Sequence, residues 1–127
     1  MAQGISSEMQ ECIQNCMDCA RTCRETLAYC LAKGGKHVAE AHIRLLLDCI
    51  ECCDMSASMM LRGSAFHAAH CAVCAEICKA CEESCEEFAG DTTMKACEDA
   101  CRRCFESCRR MGQGARGKTG TMTGLHA

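Results

Sequence analysis

At 127 residues with a net charge of -3, the chain has the length of one small domain, and its mixed, mildly acidic charge excludes a nucleic-acid footprint. Leu, Ile, Val and Phe together number 17 and Cys alone also numbers 17, so sulfur stands where an apolar core would be expected. No apolar run approaches the ~18 residues of a membrane span, so neither membrane nor nucleic acid is an expected partner.

Cysteine this dense usually marks a secreted disulfide scaffold. The N-terminal stretch MAQGISSEMQEC has no basic segment, apolar run or cleavage site of a secretory signal, and 17 is an odd number of thiols. The expectation is a reduced, cytoplasmic protein.

In chain order, Ser6 and Ser7 are N-cap candidates for a first helix running to about Lys33, which Gly34 and Gly35 stop. Cys12, Cys16, Cys19, Cys23 and Cys30 recur on it at steps of three, four and seven, the repeat that keeps residues on one helix face. A second helix is expected from about His37 to Leu61. Its inner stripe carries His42, Leu46, Cys49, Cys52 or Cys53, Ser56, and Met59 or Met60. Leu45, Leu46 and Leu47 are consecutive and cannot all face inward at ~100° per residue, so the outside of this helix is expected to pack on another copy of the chain.

Arg62 and Gly63 form the next turn, with Ser64 capping a third helix that runs to about Ala89 and carries Cys71, Cys74, Cys78, Cys81 and Cys85. Gly90 and Asp91 make the last turn, and a fourth helix from Thr92 to about Met111 carries Cys97, Cys101, Cys104 and Cys108, with Met94 and Met111 extending its stripe. Residues 112–127, rich in glycine and without periodicity, read as a disordered tail after a single domain spanning 1–111.

The fold class is therefore all-α, an up-down-up-down antiparallel four-helix bundle with a cysteine-lined core. This topology gathers Met9, Met55, Met59, Met60, His67, His70 and Met111 at one mouth, and Cys30, His42, Cys85 and Met94 towards the other end. His37, His70 and His126 are read as surface residues, and Glu82, Glu83, Glu86 and Glu87 as a solvated helix face.

Thiols in this pattern suit metal. Cys residues at i and i+4 can bring their sulfurs to ~4.5 Å, about twice a metal–sulfur bond, and soft thiolates favour Cu(I). A dry core needs its charge balanced, which monovalent copper achieves at about one ion per thiolate and zinc at about half that. The ferredoxin spacing C-x2-C-x2-C-x3-C-Pro is absent. His67, four residues before Cys71, and the mouth methionines suit weaker ligands that pass Cu(I) inward, and His42 sits where a cysteine would fit. No thiol is paired in sequence with a base and an orienting carboxylate, so no enzyme activity is expected. Two other classes stay open: a thiol redox or stress-sensing protein, and a zinc or mixed-metal buffer.

The stretches HIRLLLDCIECCDMSASMMLRGS, HCAVCAEICKACEESCEE and CEDACRRCFESCRRM resemble the bacterial copper storage proteins over about residues 8–111. The resemblance implies a cytosolic bundle that binds many Cu(I) ions and assembles as a tetramer. Carried over by position, it puts all 17 cysteines in the ligand set, with His67 and mouth methionines such as Met59 admitting the metal and His42 departing from a cysteine position. On this reading the partners are copper ions, further copies of the chain, and a copper chaperone or cuproenzyme.

Overall fold

A computed structural model describes residues 5–126, with side chains described for 5–113. Four helices make up the fold: α1 (Ser7–Lys33), α2 (Glu40–Leu61), α3 (His67–Glu86) and α4 (Thr92–His126). Each packs on its two neighbours in the order α1, α2, α3, α4 and back to α1, so α1 lies diagonally across from α3 and α2 from α4. This is the expected antiparallel bundle. No helix among the described residues is long and apolar enough to cross a membrane.

Local chemistry explains the helix ends. The Ser6 hydroxyl accepts from the Met9 amide at 3.1 Å, and Gly34, at a φ of +73° closed to most side chains, donates its N–H to the Cys30 carbonyl at 3.0 Å. Before α4, Asp91 Oδ1 accepts from the amides of Thr93 and Met94 at 3.1 and 3.2 Å.

Four boundaries differ from expectation. The second helix begins at Glu40 rather than His37, because Gly35–Val38 form a single 3-10 turn and Ala39 is extended. That turn swings His37 inward, and its ring lies 4.4 Å from the Phe88 ring. Ser64 caps a turn, accepting from the Phe66 amide at 3.1 Å, and the third helix starts only at His67. That helix ends at Glu86 instead of Ala89, since Phe88 must fold back over His37 and His42. The fourth helix continues past Met111, and Gly112 is buried within it. The rest of the expected tail lies beyond the described side chains.

The core is sulfur, closed by a few larger groups. All 17 cysteines are free and buried, and the largest fully buried side chains beside them are Leu46, Met60 and Met94. Ala20, Ala57, Ala75 and Ala100 are buried beside the thiol stripes, and small side chains of this kind let helices approach closely. On the outside, Arg24 pairs with Asp54 to tie α1 to α2, and the Asn15 amide donates to Ser107 Oγ at 3.2 Å to tie α1 to α4.

Candidate metal centre

The sulfurs form a continuous network along the bundle axis. At the mouth, Cys108 Sγ lies 3.7 Å from Cys12 and 3.5 Å from Cys16. In the middle, Cys53 reaches Cys104 at 3.5 Å and Cys78 at 3.6 Å, and Cys49 lies 3.7 Å from both Cys19 and Cys78. Further along, Cys23 and Cys97 are 3.8 Å apart.

These contacts gather the thiols in fours whose sulfurs all lie within 4.8 Å of one another: Cys16, Cys74, Cys104 and Cys108; Cys19, Cys53, Cys78 and Cys104; Cys19, Cys23, Cys49 and Cys101; Cys23, Cys81, Cys97 and Cys101; and Cys52, Cys53, Cys74 and Cys78. Successive groups share members, Cys104 between the first two and Cys19 between the next. An ion in one group therefore shares a thiolate with an ion in the next.

The expected pairing along single helices is thus only part of the arrangement. Cys19/Cys23, Cys74/Cys78 and Cys104/Cys108 each stand at 3.9 Å, short of the ~4.6 Å that a linear ion between two ~2.3 Å bonds requires. Three sulfurs around one ion would stand ~4.0 Å apart, which fits both these pairs and the contacts between helices. Tetrahedral closure on four sulfurs also fits, so geometry alone does not choose between Cu(I) and a divalent ion.

Neighbouring sulfurs split the core thiols into two sets, with Cys49 and Cys74 held below their ordinary value by hydrogen bonds from thiols led by Cys101 and Cys104, and others held above it. The thiols of Cys53, Cys78 and Cys101 are held well above their ordinary value by neighbouring sulfurs, Cys104 for the first two and Cys19 for the third, and by burial. Unpaired thiolates are costly in a dry interior, so an incoming cation must exchange for protons.

Cys12, Cys71 and Cys108 meet at the mouth, and Cys85 approaches Cys81 and Cys97. Met60, rather than Met59, is the fully buried methionine at the end of α2, while Met59, Met9 and Met111 are half-buried and Met55 is exposed. His67 is half-buried, its Nδ1 set on the Ser64 carbonyl at 2.9 Å. His70, read as a surface residue, is half-buried instead, with Nε2 3.0 Å from the Cys52 carbonyl.

At the opposite end His42 is buried against Cys30. Its imidazole is pushed below its ordinary pKa chiefly by burial, which favours the neutral, metal-ligating form. Burial, reinforced by nearby negative groups, pushes the Cys30 thiol up to about 11.

His37 is a correction. Its Nε2 lies 2.9 Å from Asp91 Oδ2, which also accepts from the Tyr29 hydroxyl at 2.8 Å, and together they close this end. Glu82 is another: it is buried beside Lys79 at 3.6 Å, while Glu83, Glu86 and Glu87 are exposed as expected. Ser84, which holds His42, carries no signal in the sequence, because only the antiparallel register of α2 and α3 brings the two together.

Fold and site define a class: a four-helix bundle whose interior is a soft-metal lattice of thiols. The sequence profile of the copper storage protein family matches residues 5–113, and the chain belongs to that family.

Similar structures agree. A Nitrosospira multiformis protein is 47% identical, with 84% of this chain and 95% of that one covered at a TM-score of 0.78. A Cu(I)-bound copper storage protein of Bacillus subtilis is 34% identical, covering 84% and 99% at a TM-score of 0.77. A cytosolic copper storage protein from Streptomyces lividans, with five coppers, is 29% identical, covering 84% and 92% at a TM-score of 0.74.

Proposed function

We propose that the chain is a cytosolic, non-enzymatic store for Cu(I), holding many ions on shared thiolates in its core. The observation that carries this reading is the run of buried four-sulfur groups joined through common members. Family membership supplies the identity of the metal. All 17 cysteines serve as ligands at about one Cu(I) per thiolate, the ratio that leaves a dry core neutral. His67 and the methionines around it, Met59 included, admit copper at the mouth, and His42 takes a cysteine's place at the far end.

The chain works as a homo-oligomer, a tetramer on the family's pattern. Exposed Leu31, Leu47, Leu61 and Val73 and half-buried Leu45 support this, since they leave apolar surface outside the bundle. A copper chaperone or a cuproenzyme is the partner class that loads or draws on such a store.

Anaerobic Cu(I) titration of the fully reduced protein, counting metal and free thiols per chain, tests the reading. Uptake near one Cu(I) per cysteine, with thiol reactivity lost in step, is expected. Saturation at one or two ions refutes storage. The four-sulfur groups also fit zinc, but Zn(II) would saturate the core at about half an ion per thiol and be displaced by Cu(I), so a zinc buffer would instead keep its Zn(II) only where Cu(I) is absent.

A further inference from the structure

Cys30 stands apart from the thiol network. Among the described residues its sulfur makes two polar side-chain contacts within hydrogen-bond range, to His42 Nε2 at 3.6 Å and to Met94 Sδ at 3.8 Å. Three chemically different donors, from α1, α2 and α4, thus converge where the bundle closes. All are buried, Cys30 and Met94 completely.

The spacing is that of a three-coordinate ion. With bonds of ~2.0 Å to nitrogen and ~2.3 Å to sulfur, planar coordination sets nitrogen and sulfur ~3.7 Å apart and two sulfurs ~4.0 Å apart. The measured separations fall just inside both values.

The imidazole is also aimed. Its Nδ1 is engaged by Ser84 Oγ at 2.7 Å, which turns Nε2 to Cys30, the arrangement by which a second hydrogen bond orients a metal-ligating histidine. Phe88 lies against the same ring, with centroids 5.0 Å apart. One thiolate with two neutral ligands balances one monovalent cation without borrowing charge from the other cysteines.

We propose that Cys30, His42 and Met94 form a separate single-ion Cu(I) site at the closed end of the bundle, oriented by Ser84 and sharing no thiolate with the core. The proposal rests on the storage reading and adds to it a distinct class of stored ion, with Met94 as a ligand and Ser84 as a positioning residue. An unshared ion on one thiolate exchanges independently of the lattice.

The test follows the histidine nitrogens of the fully reduced, full-length protein by 15N NMR during anaerobic Cu(I) titration, with bound copper counted in parallel. His42→Gln assigns the signal. A displaced Nε2 resonance for His42 at saturation is expected. Ser84→Ala should weaken copper at this site roughly tenfold or more in competition with a Cu(I) chelator, and Met94→Leu likewise, while uptake by the remaining thiols is unchanged. Far-UV circular dichroism checks that both variants keep the bundle.

Copper entering the core with His42 Nε2 unmoved overturns the proposal and leaves storage standing. Displacement that persists at the original affinity in Met94→Leu also overturns it, because Met94 is then no ligand. No copper uptake at all would instead sink the storage reading.

Discussion

Cys53 and Cys104 face each other across the bundle diagonal, from α2 to α4, with their sulfurs 3.5 Å apart. Diagonal helices meet this closely only when nothing larger than a thiol lies between them. The centre of the bundle is therefore filled by sulfur, and a metal ion entering it finds ligands on several helices at once. Cys53 also touches Cys74 and Cys78 at 3.9 and 3.6 Å, so these two thiols of α3 belong to the central groups.

The double variant Cys74→Ala/Cys78→Ala removes members of three of the five four-sulfur groups named above. Copper capacity should fall by a few ions, more than one per thiol lost being possible only because the thiolates are shared. The helices should persist, since alanine is the best helix former. Anaerobic titration and circular dichroism read the two effects; unchanged capacity would contradict the shared-thiolate core.

Ser56 occupies a stripe position of α2, is fully buried, and among the described residues its hydroxyl finds no hydrogen-bond partner. It neighbours Cys71. Ser56→Cys places an additional thiol near the mouth and should raise capacity by about one Cu(I), following the balance of one ion per thiolate. Ser56→Ala should leave capacity unchanged and stabilise the apo protein by up to about 1 kcal/mol, because an unpaired buried hydroxyl is removed. Equal capacity in wild type and Ser56→Cys would argue that the mouth layer does not bind metal.

The features legible in the sequence were those that one helix carries by itself. Cysteine spacing alone placed five thiols of α3 on one face, and Gly34 and Asp91 announced their ends through local backbone chemistry. Contacts that depend on register between helices were hidden. His37 reads as exposed because its partner Asp91 lies 54 residues away. Met59 and Met60 differ by ~100° around α2, which the pattern could not resolve at the edge of the stripe. The gathering of sulfurs in fours likewise needs the helix separations, which no local repeat contains.

Gly112 falls in the stretch that composition assigns to a disordered tail, yet it is buried in α4 and serves as a close-packing point. A Cβ there would lie 2.8 Å from the Cα and N of Ala72 and 2.9 Å from its Cβ. In an exposed helix, replacing glycine by alanine stabilises by roughly 0.5–1 kcal/mol. Gly112→Ala should have the opposite sign, destabilising the apo protein by about 1–3 kcal/mol as α3 and α4 are forced apart. Thermal unfolding of the reduced protein measures this, and a stabilised variant would refute the contact.

Asp91 ties the far end together and gives it an acid sensitivity. Burial raises its carboxyl pKa, but hydrogen bonds from His37, from the Tyr29 hydroxyl and from the amides of Met94 and Thr93 outweigh that and hold it at about 2, against an ordinary 3.8. Folding therefore favours the ionised form, and the stability this contributes is complete above about pH 4, declines as pH falls towards 2, and is gone below it. Unfolding midpoints of the reduced apo protein should drop across that window. Asp91→Asn keeps a side-chain oxygen for the helix cap but cannot ionise, so it should begin less stable and lack this part of the decline. Parallel pH profiles for wild type and variant would mean that other carboxylates carry the acid sensitivity and that the Tyr29–Asp91–His37 closure contributes little.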